Sequence, residues 1–189
     1  MIKHPIARLL RPVRAGISKI AWHHSANAVA PELITVTSTF AEGAAIPRRH
    51  AGKGVGADVS PALHWSGVPA AAVELVLIIE DPDAPLPRPI VHGLFSGIDP
   101  SAGGIPEGAL ALEYSAGPGF TIGVGSFTRR GYAGPRPIPG HGPHRYIFQL
   151  FALDAPSGLG GAATLAETLA AIDGHVIARG KLTGTYERD

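Results

Sequence analysis

Asp81 and Asp83 stand two residues apart in Glu80-Asp81-Pro82-Asp83-Ala84-Pro85, directly after the most apolar run of the chain, residues 73–79. Carboxylates at the end of an apolar strand are costly to desolvate unless a cation or a hydrogen-bond donor meets them. Pro82 and Pro85 lack an N–H and fix their own φ, so the acids sit on a stiff turn. Two groups of partners follow: His92, after a short proline-rich stretch, and His144-Arg145-Tyr146, which open the next strong apolar segment. If a strand begins at His144, His144 and Tyr146 share one face and Arg145 takes the other. Two imidazoles and a phenol can then build a ligand pocket while the Arg145 fork meets a carboxylate behind it, and Asp83 is the expected partner. The same groups would also serve as a buried polar network that only pins the turn. A chain that must reverse within 82–85 also makes a cis bond at Ala84–Pro85 an expectation, because the cis form of an X–Pro bond costs only ~0.5–1 kcal/mol.

The elements that must hold these groups are mostly extended. Residues 34–40 alternate like a strand with one wet face, and residues 73–79 read as a fully buried strand. Residues 90–98, 145–153 and 175–186 complete the strand set. Thr164-Leu165-Ala166-Glu167 has the form of a capping box, so one short helix is predicted near 164–173, ended by Gly174. Residues 101–143 are rich in Gly and Pro, and a loop of that length inside a domain is usually functional. Residues 48–56, basic and glycine-rich, read as a mobile surface loop; Gly52-Lys53 lacks the other elements of a phosphate-binding loop. The fold class is mainly β, a sandwich of short strands with one good C-terminal helix.

At 189 residues the chain has the size of one domain. Its formal charge of +1 gives no global field for nucleic acid, and the absence of cysteine removes disulfides, thiolate nucleophiles and thiolate metal sites while favouring a cytoplasmic home. No window reaches the length of a membrane span. Residues 1–31 differ from the rest: they hold Lys3, Arg8, Arg11, Arg14 and Lys19 and no acid. Ile2, Ile6, Leu9, Leu10, Val13, Ile17 and Ile20 recur at spacings of three and four, an amphipathic helical pattern interrupted by Pro12 and Gly16. This stretch is read as a basic N-terminal extension ahead of a domain at 32–189. It packs on the domain or on the second subunit of a homodimer; a membrane-surface helix and a targeting peptide are the other readings.

The spaced motifs Asp81-Pro82-Asp83-Ala84-Pro85, His92, Gly131-Tyr132-Ala133-Gly134-Pro135 and Gly140-His141-Gly142-Pro143-His144-Arg145-Tyr146, with Ser60-Pro61-Ala62-Leu63-His64-Trp65 upstream, resemble the phosphatidylethanolamine-binding protein family, in its bacterial and archaeal Raf-kinase-inhibitor-like branch. The resemblance implies an antiparallel sandwich with Greek-key links and a small cavity that binds phosphate, acetate or a phospholipid headgroup without a cofactor. Its lining would be Asp81, His92, His144 and Tyr146, with the backbone at Gly134 and Pro135, supported by Asp83, Pro85 and Arg145; His141 would line the entrance. Turn N–H groups near Gly134 would add donors for an oxyanion. Relatives that act on kinases or proteases make such a target the implied protein partner. Gly93 stands where the family usually has an aromatic, Arg136 stands where this branch often has cysteine, and only three residues follow Tyr186, which leaves no room for the helix that closes the pocket in eukaryotic relatives. The competing reading is an enzyme: Asp81, His92 and His144 have the composition of a two-histidine-one-carboxylate metal triad or a phosphoester hydrolase cluster. No Gly-x-Ser-x-Gly elbow accompanies them.

Overall fold

The computed structural model describes residues 4–112 and 119–188. Two antiparallel sheets carry the fold. The smaller joins β1 (Thr35–Ser38), β2 (Leu63–Ser66) and β5 (Gly104–Ile105) in the order β1-β2-β5. The larger has the order β6-β4-β3-β7-β8, built from β3 (Glu74–Asp81), β4 (Ile90–Ile98), β6 (Thr121–Ile122), β7 (His144–Leu153) and β8 (Val176–Tyr186). Every strand pairing is antiparallel.

β3 lies between β4 and β7, and all eight of its residues are buried. Its parity explains this. Leu75, Leu77 and Ile79 face the core between the sheets, with Trp65, Phe95, Phe148 and Leu182. Val76 and Ile78 face the other side, where Ile20, Trp22, Phe151 and Ile172 cover them. A strand covered on both faces has no wet side to alternate with, which is why residues 73–79 read as one apolar run. Ile172 comes from α3 (Leu165–Ile172), whose N-terminus is closed by the expected capping box. There Glu167 Oε2 accepts from Thr164 N–H at 2.8 Å and Thr164 Oγ1 accepts from Glu167 N–H at 3.4 Å.

The N-terminal stretch is a broken path, interrupted at the Pro12 and Gly16 that the sequence marks. α1 covers His4–Leu9, two 3-10 turns cover Ile17–Lys19 and Ala21–His23, and α2 covers Ser25–Ala28. Pro12 and a left-handed Gly16 (φ 108°) separate the pieces. Of the predicted stripe, Ile2 and the Ile6 side chain lie outside the described residues; Leu9, Val13 and Ile17 are exposed, and Ile20 is buried. What docks the stretch is polar. Glu80, fully buried on the outer face of β3, accepts at Oε2 from Ala21 N–H (2.7 Å) and from Gln149 Nε2 (2.9 Å). Gln149 Oε1 accepts in turn from Trp22 N–H at 2.6 Å. The Trp22 ring then packs under the Arg179 guanidinium at 4.0 Å and the Lys181 ammonium at 4.2 Å.

Residues 48–56 are held rather than loose. They form a 3-10 turn at Arg48–His50, and His50 and Ala51 are buried. Among the described residues no peptide bond is cis, so the Ala84–Pro85 expectation is corrected to trans; the turn reverses through the Asp81–Asp83 hydrogen bond described below. No described helix is long and apolar enough to cross a membrane.

The Glu80–Gln149 pair gives a direct test. Gln149→Leu leaves the Trp22 N–H buried without an acceptor and strips a donor from Glu80, so it should cost about 1–3 kcal/mol. Chemical denaturation reads this as a lower midpoint, and an unchanged midpoint would mean that the Glu80–Gln149 pair contributes nothing to holding the stretch.

Candidate functional site

The site begins where β3 ends. Asp81 Oδ1 accepts from Asp83 N–H at 2.7 Å, which folds the turn onto its own carboxylate. Asp83, 1 % exposed, receives the Arg145 fork as expected, with Nε to Oδ2 at 2.8 Å and Nη2 to Oδ1 at 2.7 Å, and also the Arg145 backbone N–H at 2.8 Å. Arg14 Nη1 adds a third cationic contact at 3.0 Å. Burial pushes the Asp83 carboxyl up, but the Arg145 bonds and charge and the Arg14 bond outweigh it and hold it at about 2. Arg14 is no isolated visitor: Ala15 N–H donates to Ala84 C=O and Gly16 N–H to Pro82 C=O, both at 2.9 Å, so the N-terminal stretch is stitched along the turn.

Behind Asp81 runs a chain of imidazoles. His144 Nδ1 lies 2.8 Å from Asp81 Oδ2, His144 Nε2 lies 2.8 Å from His141 Nδ1, and His141 Nε2 lies 2.9 Å from Leu10 C=O. The carbonyl can only accept, so His141 Nε2 carries a hydrogen; its Nδ1 then accepts from His144 Nε2–H. That leaves His144 Nδ1 facing a carboxylate oxygen, lone pair against lone pair, unless another proton sits between them. Two neutral imidazoles supply two hydrogens for these three contacts, one fewer than the contacts need. His141 is fully buried behind His144 and does not line an entrance. Burial lowers its basicity, as do the His144 and Arg14 charges, against the Leu10 carbonyl.

His92 comes from β4 and meets the Tyr146 ring edge-on, with centroids 5.0 Å apart. Its Nδ1 lies 2.6 Å from Ala133 C=O, and its buried Nε2 has no partner. Burial holds this imidazole below its ordinary value; Arg129 and His144 push the same way, and Asp81 and the Ala133 carbonyl oppose them. Burial, aided by Asp81, keeps the Tyr146 phenol protonated.

These groups border a cavity of about 360 Å³. Asp81, His92, Gly134, His144 and Tyr146 line it, and Pro85 joins the wall. Pro135 does not: its carbonyl turns away to accept Gly52 N–H at 2.9 Å. Gly134 N–H is also unavailable to a ligand, because it donates to Asp58 Oδ1 at 2.7 Å. Gly134 must be glycine for a steric reason, since a Cβ there would collide with the His50 carbonyl and the Gly52 nitrogen. The basic segment 48–58 is therefore the buttress of the cavity wall. Gly93 stands outside the lining; the Phe95 ring fills the space where its side chain would go, at 2.6 Å from an ideal Cβ. Arg136 borders the cavity and is exposed.

Sequence reasoning missed Leu10, Ser126, Phe127, Arg129 and Ile138, all of which line the cavity. Phe127 and Thr128 both have left-handed backbone (φ 59° and 57°), and Phe127 is 69 % exposed at the rim. No local signal marks that conformation. The metal-triad arrangement is not formed, because Asp81 and His144 bond each other and the second His144 nitrogen is taken by His141. Among the described residues no group of three or more His, Cys, Asp or Glu is placed to hold a metal ion.

Asp83 fixes the acid limit of the site. Its folded value lies below the unfolded one, so its contribution is present above about pH 4 and is lost as pH falls through about 2. Wild type should lose about 2 kcal/mol more than Asp83→Asn between pH 4.5 and 2. Parallel stability–pH curves for the two proteins would contradict this.

Comparison with known proteins gives a consistent answer. Residues 36–187 match the profile of the family described as phosphatidylethanolamine-binding protein. A UPF0098 protein of Pyrococcus abyssi is 39 % identical over 158 residues, covering 83 % of this chain and 86 % of its own. The crystal structure of CT736 from Chlamydia trachomatis, described as a homologue in the same family, superposes with a TM-score of 0.74 at 33 % identity, covering 84 % of this chain and 99 % of that one. YbcL of E. coli, described as a member of the mammalian form of the family, superposes with a TM-score of 0.76 at 27 % identity, over 83 % and 99 % of the two chains.

Proposed function

The chain belongs to the phosphatidylethanolamine-binding protein family, and from that premise we propose that its cavity holds a small oxyanion, phosphate or a phospholipid-headgroup-like group, and does no chemistry on it. The observation that carries this reading is His92. Among the described residues of the lining it alone has a buried polar atom left unpaired, and unpaired buried groups cost free energy until a partner arrives. Arg129 and Arg136 on the same wall supply positive charge, and the Tyr146 phenol supplies a hydroxyl that stays protonated.

Holding rather than turnover fits the remaining groups. The Ser126 hydroxyl on the wall accepts from Val91 N–H at 2.9 Å, and His144 is engaged at both nitrogens. A hydroxyl paired with a free imidazole base, the arrangement nucleophilic transfer needs, is not what these contacts build.

Calorimetry with inorganic phosphate and with phosphorylethanolamine tests the proposal. Wild type should bind with measurable heat, and His92→Ala should weaken binding at least tenfold. His144→Ala, which breaks the imidazole chain, should weaken it as well. Wild-type protein that binds neither compound would end the oxyanion reading. Steady release of phosphate from phosphorylethanolamine, lost in His144→Ala, would favour the hydrolase instead.

A further inference from the structure

We propose that the cavity selects oxyanions that bring their own proton, such as hydrogen phosphate and singly ionised phosphate monoesters, over sulfate and phosphodiesters. The inference rests on the oxyanion reading above and narrows it to a ligand class. It follows from which atoms at the site are already used. The Ala133 carbonyl can only accept, so its 2.6 Å contact places the hydrogen of His92 on Nδ1. A neutral His92 therefore offers a lone pair at Nε2, the atom left unpartnered.

The neighbouring polar groups do not change that. Asp81 Oδ1 accepts from Asp83 N–H, and Oδ2 faces His144. His144 Nε2 is committed to His141, and Gly134 N–H to Asp58. A fully ionised oxyanion reaching His92 would set lone pair against lone pair in a buried place.

A proton can enter that contact in two ways. His92 can take one from water, which its burial, Arg129 from the 126–134 segment and His144 from β7 oppose; Asp81 from β3 favours it, and the Tyr146 ring that packs against it is a neutral phenol. Alternatively the ligand arrives with a P–O–H and donates it to Nε2, at no cost to the imidazole. Hydrogen phosphate and sulfate share shape and charge at neutral pH and differ in that one hydrogen. Sites that hydrogen-bond a substrate hydroxyl discriminate strongly against analogues lacking it, because the buried acceptor is left unpaired.

The test is calorimetry with inorganic phosphate and sulfate at pH 7, and with methyl phosphate and dimethyl phosphate, each in two buffers of different ionisation enthalpy. Phosphate should bind at least tenfold tighter than sulfate, and what sulfate binding there is should take up close to one proton. Methyl phosphate, compared with dimethyl phosphate at about pH 5.5 where its singly ionised form predominates, should bind more tightly, which separates free phosphate and monoesters from the diester of a phospholipid headgroup. In His92→Ala the phosphate-to-sulfate ratio should fall to within about threefold; the proton uptake with sulfate reads the same contact in wild type should that variant fail to fold. Sulfate binding as tight as phosphate with no proton uptake, or equal binding of the two methyl esters, would overturn the inference while leaving the oxyanion reading intact. Binding of none of the four would overturn both.

Discussion

The site depends on one carboxylate. Asp83 is the point where three parts of the chain far apart in sequence are fastened: the turn after β3, the first residues of β7 and the N-terminal stretch. A buried carboxylate with one cation would be a liability, since desolvation can exceed the attraction. Here a bidentate fork, a backbone N–H and a second guanidinium fill its lone pairs. With Asp83 held, Asp81 is aimed at His144, and the imidazole chain behind it extends to the Leu10 carbonyl.

The two faces of β3 divide the labour. Its inward face ends in Asp81 and the cavity, and its outward face ends in Glu80, whose partners are the backbone of Ala21 and the side chain of Gln149. Burial raises the Glu80 carboxyl above its ordinary value. Adjacent acids on one strand thus meet opposite fates: one is compensated by imidazoles beside a cavity, and the other grips the N-terminal stretch in a dry interface.

Much of this was legible in residue types. The Asp83–Arg145 pair could be read because strand alternation separates Arg145 from His144 and Tyr146, and because a fork matches a carboxylate. The capping box at Thr164 was readable because it is local. The His92 tautomer was not, since it is set by a carbonyl 41 positions away. The breaks in the N-terminal pattern at Pro12 and Gly16 were readable, but its fastening was not: the stretch is held by Arg14, backbone ladders and the Glu80–Gln149 pair rather than by an apolar stripe. Gly134 lines the cavity, but its N–H is spent on Asp58, and Pro135 is turned away to Gly52 in the segment 48–56, a long-range contact that composition made look like a loose loop.

Leu10 lends its side chain to the cavity wall and its carbonyl to His141, so the wall is completed by a stretch whose exposed Leu9, Val13 and Ile17 remain open to other contacts. If the cavity holds a ligand as proposed, its occupancy and capture of the stretch would be thermodynamically linked. A partner that grips residues 9–17 where they lie and a ligand that packs on Leu10 each strengthen the other, and one that peels them away weakens ligand binding by the same factor that the ligand resists peeling. Under the binding proposal, a contact on the outer surface at residues 9–17 would reach the cavity without entering it.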